Sequence, residues 1–372
     1  MNNITNKEVF KTMEEWAPIS LGYDWDNNGL QIGSQSNIVE NVLISLDVLE
    51  VTVDEAIEKN IDLIVAHHPL LFKGLKQIDF DTPKGRTIKK LIENNISVYA
   101  SHTNLDIAEG GVNDILADKL EIRDIKPLVK TITKSLYKII VYVPEDHLEN
   151  VKNALNNAGA GHIGNYSNCS FQTRGKGQFK PLEDSNPYSG EKNKLSVFEE
   201  IKLEVIVNEA NLNSSIDQMI KAHPYEEVAY DILKLENKGD SLGIGRIGCL
   251  NERISVQLLC EEIKSKLDIS KLRVSGDLNK DVKKVAILGG SGEKFIHDAF
   301  RQNADVLITG DITFHLAQEA IELGIVVIDA GHYIEEVMKE SVKNYLENKF
   351  KFKSKSINFI VSNENTNPFT FI

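Results

Sequence analysis

Ile96-Ser97-Val98-Tyr99-Ala100, followed by His102 and Asp106, and Ile325-Val326-Val327-Ile328-Asp329-Ala330, followed by His332 and Glu336, are two copies of one local design. Each is a β-branched apolar run, then a histidine, then an acid four residues later. Such a run reads as a parallel strand buried on both faces. The C-terminal end of a strand of this kind is where open α/β sheets place their chemistry, and both histidines fall there.

The likeness extends upstream. Val42-Leu43-Ile44-Ser45-Leu46-Asp47 lies over Val285-Ala286-Ile287-Leu288-Gly289-Gly290, and Val53-Asp54-Glu55-Ala56-Ile57 over Ile296-His297-Asp298-Ala299-Phe300. Ile61-Asp62-Leu63-Ile64-Val65 then lies over Ala304-Asp305-Val306-Leu307-Ile308, and both copies enter a polar elbow, Ala66-His67-His68-Pro69 and Thr309-Gly310-Asp311-Ile312. The simplest account is a duplicated βαβ-type unit whose two polar rims face each other. The competing account is that any two strand–helix–strand segments align this well, since all share the same periods.

The 372 residues exceed a usual single core, and 41% hydrophobic with 26% charged residues is the composition of a globular, water-soluble chain of two or more domains. No run approaches the ~18 apolar residues of a membrane span, and Met1 to Lys11 lacks the apolar centre of a signal peptide, so a cytoplasmic location without membrane contact is expected. Cys169, Cys249 and Cys260 show no CxxC spacing and read as packing residues rather than a disulfide or thiolate zinc framework. The net charge of -13 argues against a nucleic-acid partner, which needs a basic stripe to displace counterions. It would also repel a nucleotide or phosphate ester unless bound metal ions reversed the local field.

Residues 1–129 hold an opening amphipathic helix, the loop Tyr23-Asp24-Trp25-Asp26-Asn27-Asn28-Gly29 and the first α/β unit, and residues 237–372 hold the second. Between them, 130–236 changes texture. Strand patterns at Tyr137–Val143, Glu200–Val207 and Ala229–Leu235 alternate with helix patterns at Asp146–Ala158 and Ser214–Ala222 around a loop-rich stretch, the ferredoxin-like order of an inserted α+β domain.

His67 and His68 end an apolar strand, and Pro69 helps terminate its pairing. Neighbouring side chains on an extended backbone point to opposite faces, so the pair serves two ions flanking the strand end more easily than one. With Asp106, His332 and Glu336 the set is three imidazoles and two carboxylates, enough for two divalent cations if a carboxylate or water bridges them. Zinc, iron and manganese all suit it. On a helical backbone His102 with Asp106 and His332 with Glu336 each project to one side. His102 is the counterpart of His332 or a group that orients a ligand. Asp311 and His315 are candidates for proton transfer or ligand support, with helix capping ahead of Phe314 as the alternative for Asp311. His147, His162 and His297 read as surface or packing residues.

Trp25-Asp26-Asn27-Asn28-Gly29-Leu30, Ala66-His67-His68-Pro69-Leu70, Ser101-His102-Thr103-Asn104-Leu105-Asp106, Thr309-Gly310-Asp311 with His315, and Gly331-His332 with Glu336 together resemble the Nif-three-like family. Its members are also called GTP cyclohydrolase I type 2 homologues or dinuclear metal centre proteins. The resemblance implies two metal ions per chain held by His67, His68, Asp106, His332 and Glu336, and a toroidal homohexamer. It also implies a PII-like insert at 130–236 carrying the motif His223-Pro224-Tyr225-Glu226-Glu227. The implied activity is metal-dependent hydrolysis: opening of the guanine imidazole ring of GTP with loss of formate, His102 or His315 moving the proton. The same residues would serve a phosphoesterase, or a metal-storing or regulatory protein without turnover. The chain has no P-loop and no glycine-rich nucleotide fingerprint.

Overall fold

The computed structural model describes residues 3–352 and 356–370. The chain divides into two compact units, Met1–Ile132 with Leu242–Ile372, and Thr133–Ser241. These divisions fall inside two long strands, Arg123–Val143 and Tyr230–Ser255, a few residues beyond positions 130 and 236. A boundary inside a strand carries no Pro- or Gly-rich linker to mark it.

In the first unit the aligned segments are corresponding elements of two sheets. Asn41–Ser45, Leu63–Ala66 and Ser97–Ala100 run parallel, with Val42 opposite Leu63 and Leu63 opposite Ser97. Asn358–Val361 adds a parallel strand on one side and Gly29–Ile32 an antiparallel one on the other. In the second sheet Asp281–Ser291, Val306–Gly310 and Val326–Asp329 run parallel, with Val285 opposite Val306 and Val306 opposite Val326. Tyr230–Ser255 and Arg273–Ser275 flank them antiparallel. The fold is a duplicated α/β core.

The central strands are buried on both faces, and both faces are apolar. Val42, Ile44, Leu63, Val65 and Tyr99 from the first sheet share a core with Val285, Ile287, Val306, Ile308, Val326 and Ile328 from the second. Helices Asn6–Trp16, Val112–Lys119, Val256–Lys266 and Met338–Phe350 contribute to the same core. The opposite faces, Leu43, Ile64 and Val98, and Ala286, Leu307 and Val327, are covered by helices Glu50–Glu58 and Pro83–Glu93, and Ile296–Arg301 and Phe314–Leu323. A one-residue slip would exchange one apolar face for another, so patterning alone holds the register weakly. A carboxylate pins it in both copies. Asp62 accepts the backbone N–H groups of Glu40 and Asn41 at 2.8 and 2.9 Å, and Asp305 those of Lys283 and Lys284, each at 2.9 Å.

The second unit has the order strand, helix Leu148–Asn157, strands Ser170–Phe179 and Ser196–Asn208, helix Leu212–Ala222, strand. Its strands lie in the order Ser170–Phe179, Ser196–Asn208, Arg123–Val143, Tyr230–Ser255, a ferredoxin-like arrangement. Ile139, Val141, Leu203 and Val205 pack against Val151, Leu155 and Met219 of the two helices. The strand Ser170–Phe179 lies in the stretch that reads as loop, because its side chains are almost all exposed and show no alternation. Among the described residues no helix is long and apolar enough to cross a membrane.

Candidate metal centre

The C-terminal ends of corresponding strands deliver the polar groups to one place. His67 and His68 follow Leu63–Ala66, His102 follows Ser97–Ala100 and caps the short helix Thr103–Ile107 that carries Asp106, and His332 follows Val326–Asp329. The rings of His67 and His68 lie 5.1 Å apart, His68 and His332 5.2 Å, and His102 is 5.3 and 5.6 Å from His67 and His68.

Each of the four imidazoles has its Nδ1 at an oxygen acceptor. His67 Nδ1 lies 2.8 Å from the Ser101 carbonyl, His68 Nδ1 2.7 Å from Asp47 Oδ1, His102 Nδ1 2.9 Å from Asp26 Oδ1, and His332 Nδ1 2.6 Å from Asp311 Oδ2. Donation from Nδ1 leaves Nε2 as the free ligating atom and fixes the ring, the support that metal-binding histidines need. Glu335 stands between three of those Nε2 atoms: Oε2 is 3.0 Å from His68 and 3.3 Å from His332, and Oε1 is 3.7 Å from His67. Asp106 Oδ1 lies 3.6 Å from His67 Nε2.

His67 Nε2 and Asp106 Oδ1 are both buried, and neither has a hydrogen-bond partner. Leaving buried polar atoms unpaired costs ~1–3 kcal/mol each, and a cation between them would satisfy both. Two groups of residues that could hold an ion, His67 with Asp106 and Glu335, and His68 with His332 and Glu335, share Glu335. A third is His67 with His68 and His102.

The electrostatics are those of a tight charge cluster. Burial works against charge on His68, but hydrogen bonds to Asp47 and Glu335 outweigh it and push the imidazole up to about 10. Glu335 raises His332 to about 9. His67 is raised despite full burial, by Asp106 and Glu335. The Glu335 carboxyl is held well below the usual range against its own burial by the three imidazoles, and burial pushes Asp106 up to about 6.

The structure thus brings together His67, His68, His102, Asp106 and His332, with Asp311 behind His332. It sets Glu336 and His315 apart. The segment His332–Val337 is a 3₁₀ helix, in which residues i and i+3 eclipse, so the acid beside His332 is Glu335. Glu336 turns away to pair with Lys339 at 3.1 Å. His315 is exposed on Phe314–Leu323 and contacts Gln318. Thr313, not Asp311, occupies the cap position of that helix. Sequence reading also passed over Asp47 and Asp26 as partners of His68 and His102. Their signal was position: Asp47 lies two residues past the first strand of its repeat, and Asp26 sits within the Trp25–Gly29 loop.

Glycines make room for Glu335. Gly290 has φ +64°, and a Cβ there would lie 2.6 Å from Glu335 Oε1. A cleft of about 1210 Å³ opens beside the cluster, lined by His68, His332 and Asp311 together with Lys271, Arg273 and Phe369. Near His102, Trp25, 59% exposed, and Phe72 approach the imidazole at 6.4 and 6.2 Å between ring centres.

A model of the family Duf34/NIF3 (NGG1p interacting factor 3) matches residues 4–368. The chain is 45% identical over 372 residues to a GTP cyclohydrolase 1 type 2 homolog of Halalkalibacterium halodurans, with both chains covered completely. It is 46% identical over 370 residues to one of Bacillus subtilis, covering 100% of this chain and 99% of that one. A crystal structure of a Bacillus cereus protein related to NIF3 superposes with a TM-score of 0.93 at 42% identity, over 100% of both chains. Full-length matches of this strength, on a chain with this duplicated core, mean that it belongs to the Duf34/NIF3 family.

Proposed function

We propose that the chain is a hydrolase that works with two divalent cations, zinc, iron or manganese, on a guanine nucleotide. The observation that carries this reading is the shared carboxylate: Glu335 faces His67 through one oxygen and His68 and His332 through the other. His67, Asp106 and Glu335 would hold one ion, and His68, His332 and Glu335 the other. When bound, such a pair supplies a water acidified toward neutrality and polarises the atom under attack.

The chain's own residues supply the rest. Asp26 fixes His102 through Nδ1, so Nε2 is the atom left to take and return a proton. Asp47 and Asp311 hold His68 and His332 in the orientation that turns Nε2 toward Glu335. The adjoining cleft is large enough for a nucleotide and carries two cations, Lys271 and Arg273, the latter paired with Asp329, among several acids. The relatives' name, GTP cyclohydrolase 1 type 2 homolog, supports GTP as the substrate, with one water opening the imidazole ring to a formamide and a second releasing C8 as formate. Two metals per chain by elemental analysis, with formate released from GTP by the wild type and not by Glu335→Gln, is the expected outcome. Metal without formate would remove the GTP assignment and leave metal binding. Assembly as a toroidal hexamer, proposed from the family resemblance, predicts a light-scattering mass six times that of the 41.6 kDa chain.

A further inference from the structure

The inserted unit has a cavity of its own, about 690 Å³, lined by Tyr225, Glu226 and Glu227 of the His223-Pro224-Tyr225-Glu226-Glu227 motif that the metal centre leaves unexplained. His223 braces it: Nε2 lies 3.0 Å from the Tyr142 carbonyl, and Nδ1 accepts the Tyr225 N–H at 3.1 Å. Burial lowers the His223 pKa, which keeps the ring neutral and suits this donor–acceptor pairing. The brace sets the Tyr225 ring among Phe179 and Tyr188, at 6.1 and 5.9 Å between ring centres. These three rings are walls suited to a flat ligand.

The other side is made by glycine. Gly175 and Gly177 of Ser170–Phe179 lie opposite Glu200 and Phe198 of the neighbouring strand. A Cβ at Gly177 would fall 2.0 Å from Glu200 Oε2, so the carboxylate lies over that glycine, whereas a Cβ at Gly175 would meet nothing within 4 Å. Gly175 is an open floor. Glu200 is 8% exposed and receives the Tyr225 hydroxyl at 2.9 Å. Among the described residues it has no ion-pair partner. A carboxylate this buried is costly without paired donors, and each carboxylate oxygen has two acceptor sites.

We propose that this cavity binds a planar nitrogen heterocycle that presents two adjacent N–H donors to Glu200, the edge formed by N1–H and the 2-amino group of a guanine base. The clustered rings of Tyr225, Phe179 and Tyr188 form the wall that one of its faces packs against, and the open floor at Gly175 takes its far edge. A parallel N–H pair matches a carboxylate in the way an Arg fork does. Adenine lacks that pair. The site belongs to the inserted unit alone and stands whether or not the metal centre is catalytic.

Calorimetric titration of the full metal-loaded chain with guanosine and, separately, adenosine tests it. Nucleosides carry no phosphate for the metal centre or for Lys271 and Arg273 of its cleft to hold. One guanosine per chain is expected, with adenosine weaker by more than ~10-fold because its donors do not match the carboxylate. Gly175→Trp fills the floor at a position with no positive-φ constraint and should abolish the heat while leaving metal content intact. Glu200→Gln keeps an acceptor for the Tyr225 hydroxyl but turns an N–H donor toward the ligand, and should weaken guanosine more than ~10-fold. Glu335→Gln, which alters the metal centre, should leave guanosine binding unchanged. No binding to the wild type, equal binding to both nucleosides, or loss in Glu335→Gln would overturn the proposal. Should Gly175→Trp lower the melting temperature, Glu200→Gln decides, and undiminished binding there refutes it.

Discussion

Glu335 and Glu336 are adjacent acids with opposite expected consequences. Glu335→Gln keeps the side-chain shape and removes a buried negative charge that faces imidazole nitrogens at 3.0, 3.3 and 3.7 Å. In the metal-free chain that breaks a buried charge cluster, a change that costs ~3–5 kcal/mol. In the metal-loaded chain it leaves a single neutral carbonyl oxygen where two carboxylate oxygens face the two candidate ligand groups that share Glu335. Loss of a residue that merely supports a ligand weakens metal affinity by ~10–100-fold, so loss of the shared carboxylate should exceed ~100-fold, about 2.7 kcal/mol or more. Glu336→Gln removes the charge from a side chain that is 38% exposed and paired with Lys339. An exposed pair contributes under ~1 kcal/mol, and metal content should not change. The assay is elemental analysis after dialysis against a competing chelator, with calorimetric melting of the stripped proteins. Metals lost from Glu336→Gln and kept by Glu335→Gln would refute the assignment of the 3₁₀ turn as the element that selects the ligand.

Further outcomes are expected. Asp26→Asn, which weakens the hold on His102, should keep both metals but reduce GTP turnover by ~100-fold, the low end of a general acid–base contribution; unchanged turnover would remove His102 from proton transfer. Gly290→Ala, at φ +64° with Glu335 Oε1 2.6 Å from the new Cβ, should cost at least ~1 kcal/mol in denaturant unfolding and impair metal retention. In the metal-free chain His68 and His332 lie at about 10 and about 9, above the ordinary ~6.5, so their stabilisation is complete below pH ~6.5 and is lost as pH rises through those values. The melting temperature of the stripped chain should therefore fall from pH 7 to 10 and that of the loaded chain should not. Metal displaces the same protons, so uptake should tighten over the same interval and release protons measurable in a pH-stat.

The central strands were legible because both their faces are buried, which leaves uninterrupted runs such as Ile325–Ile328 that no half-exposed strand would carry. The elbows were legible because polar groups abruptly end such runs at His67 and Thr309. Three features were not legible. Ser170–Phe179 is an exposed edge strand whose residues face solvent on both sides, so neither strand period nor apolar content marks it. Asp47 and Asp26 meet His68 and His102 from 21 and 76 residues away, and no local period encodes contacts across a sheet. Glu335 was missed because a spacing of four presumes 3.6 residues per turn, whereas the backbone at His332 turns every three.

The divergence of the two copies explains why a duplicated fold builds one centre rather than two. Where the first copy has His67 and His68, the second has Gly310 and Asp311. A Cβ at Gly310 would lie 2.6 Å from the His332 backbone nitrogen, so the glycine lets the His332 turn settle against the strand end. Asp311 then accepts the His332 Nδ1–H, doing for that imidazole what Asp47 does for His68. Where the first copy has Asp47, the second has Gly290, which clears the path of Glu335 toward the imidazoles of the first copy. At these three positions a candidate ligand or its support in one half is a space or a support in the other. Restoring symmetry should therefore subtract a site rather than add one: Gly310→His would force the His332 turn outward, and metal content would fall in that variant instead of rising.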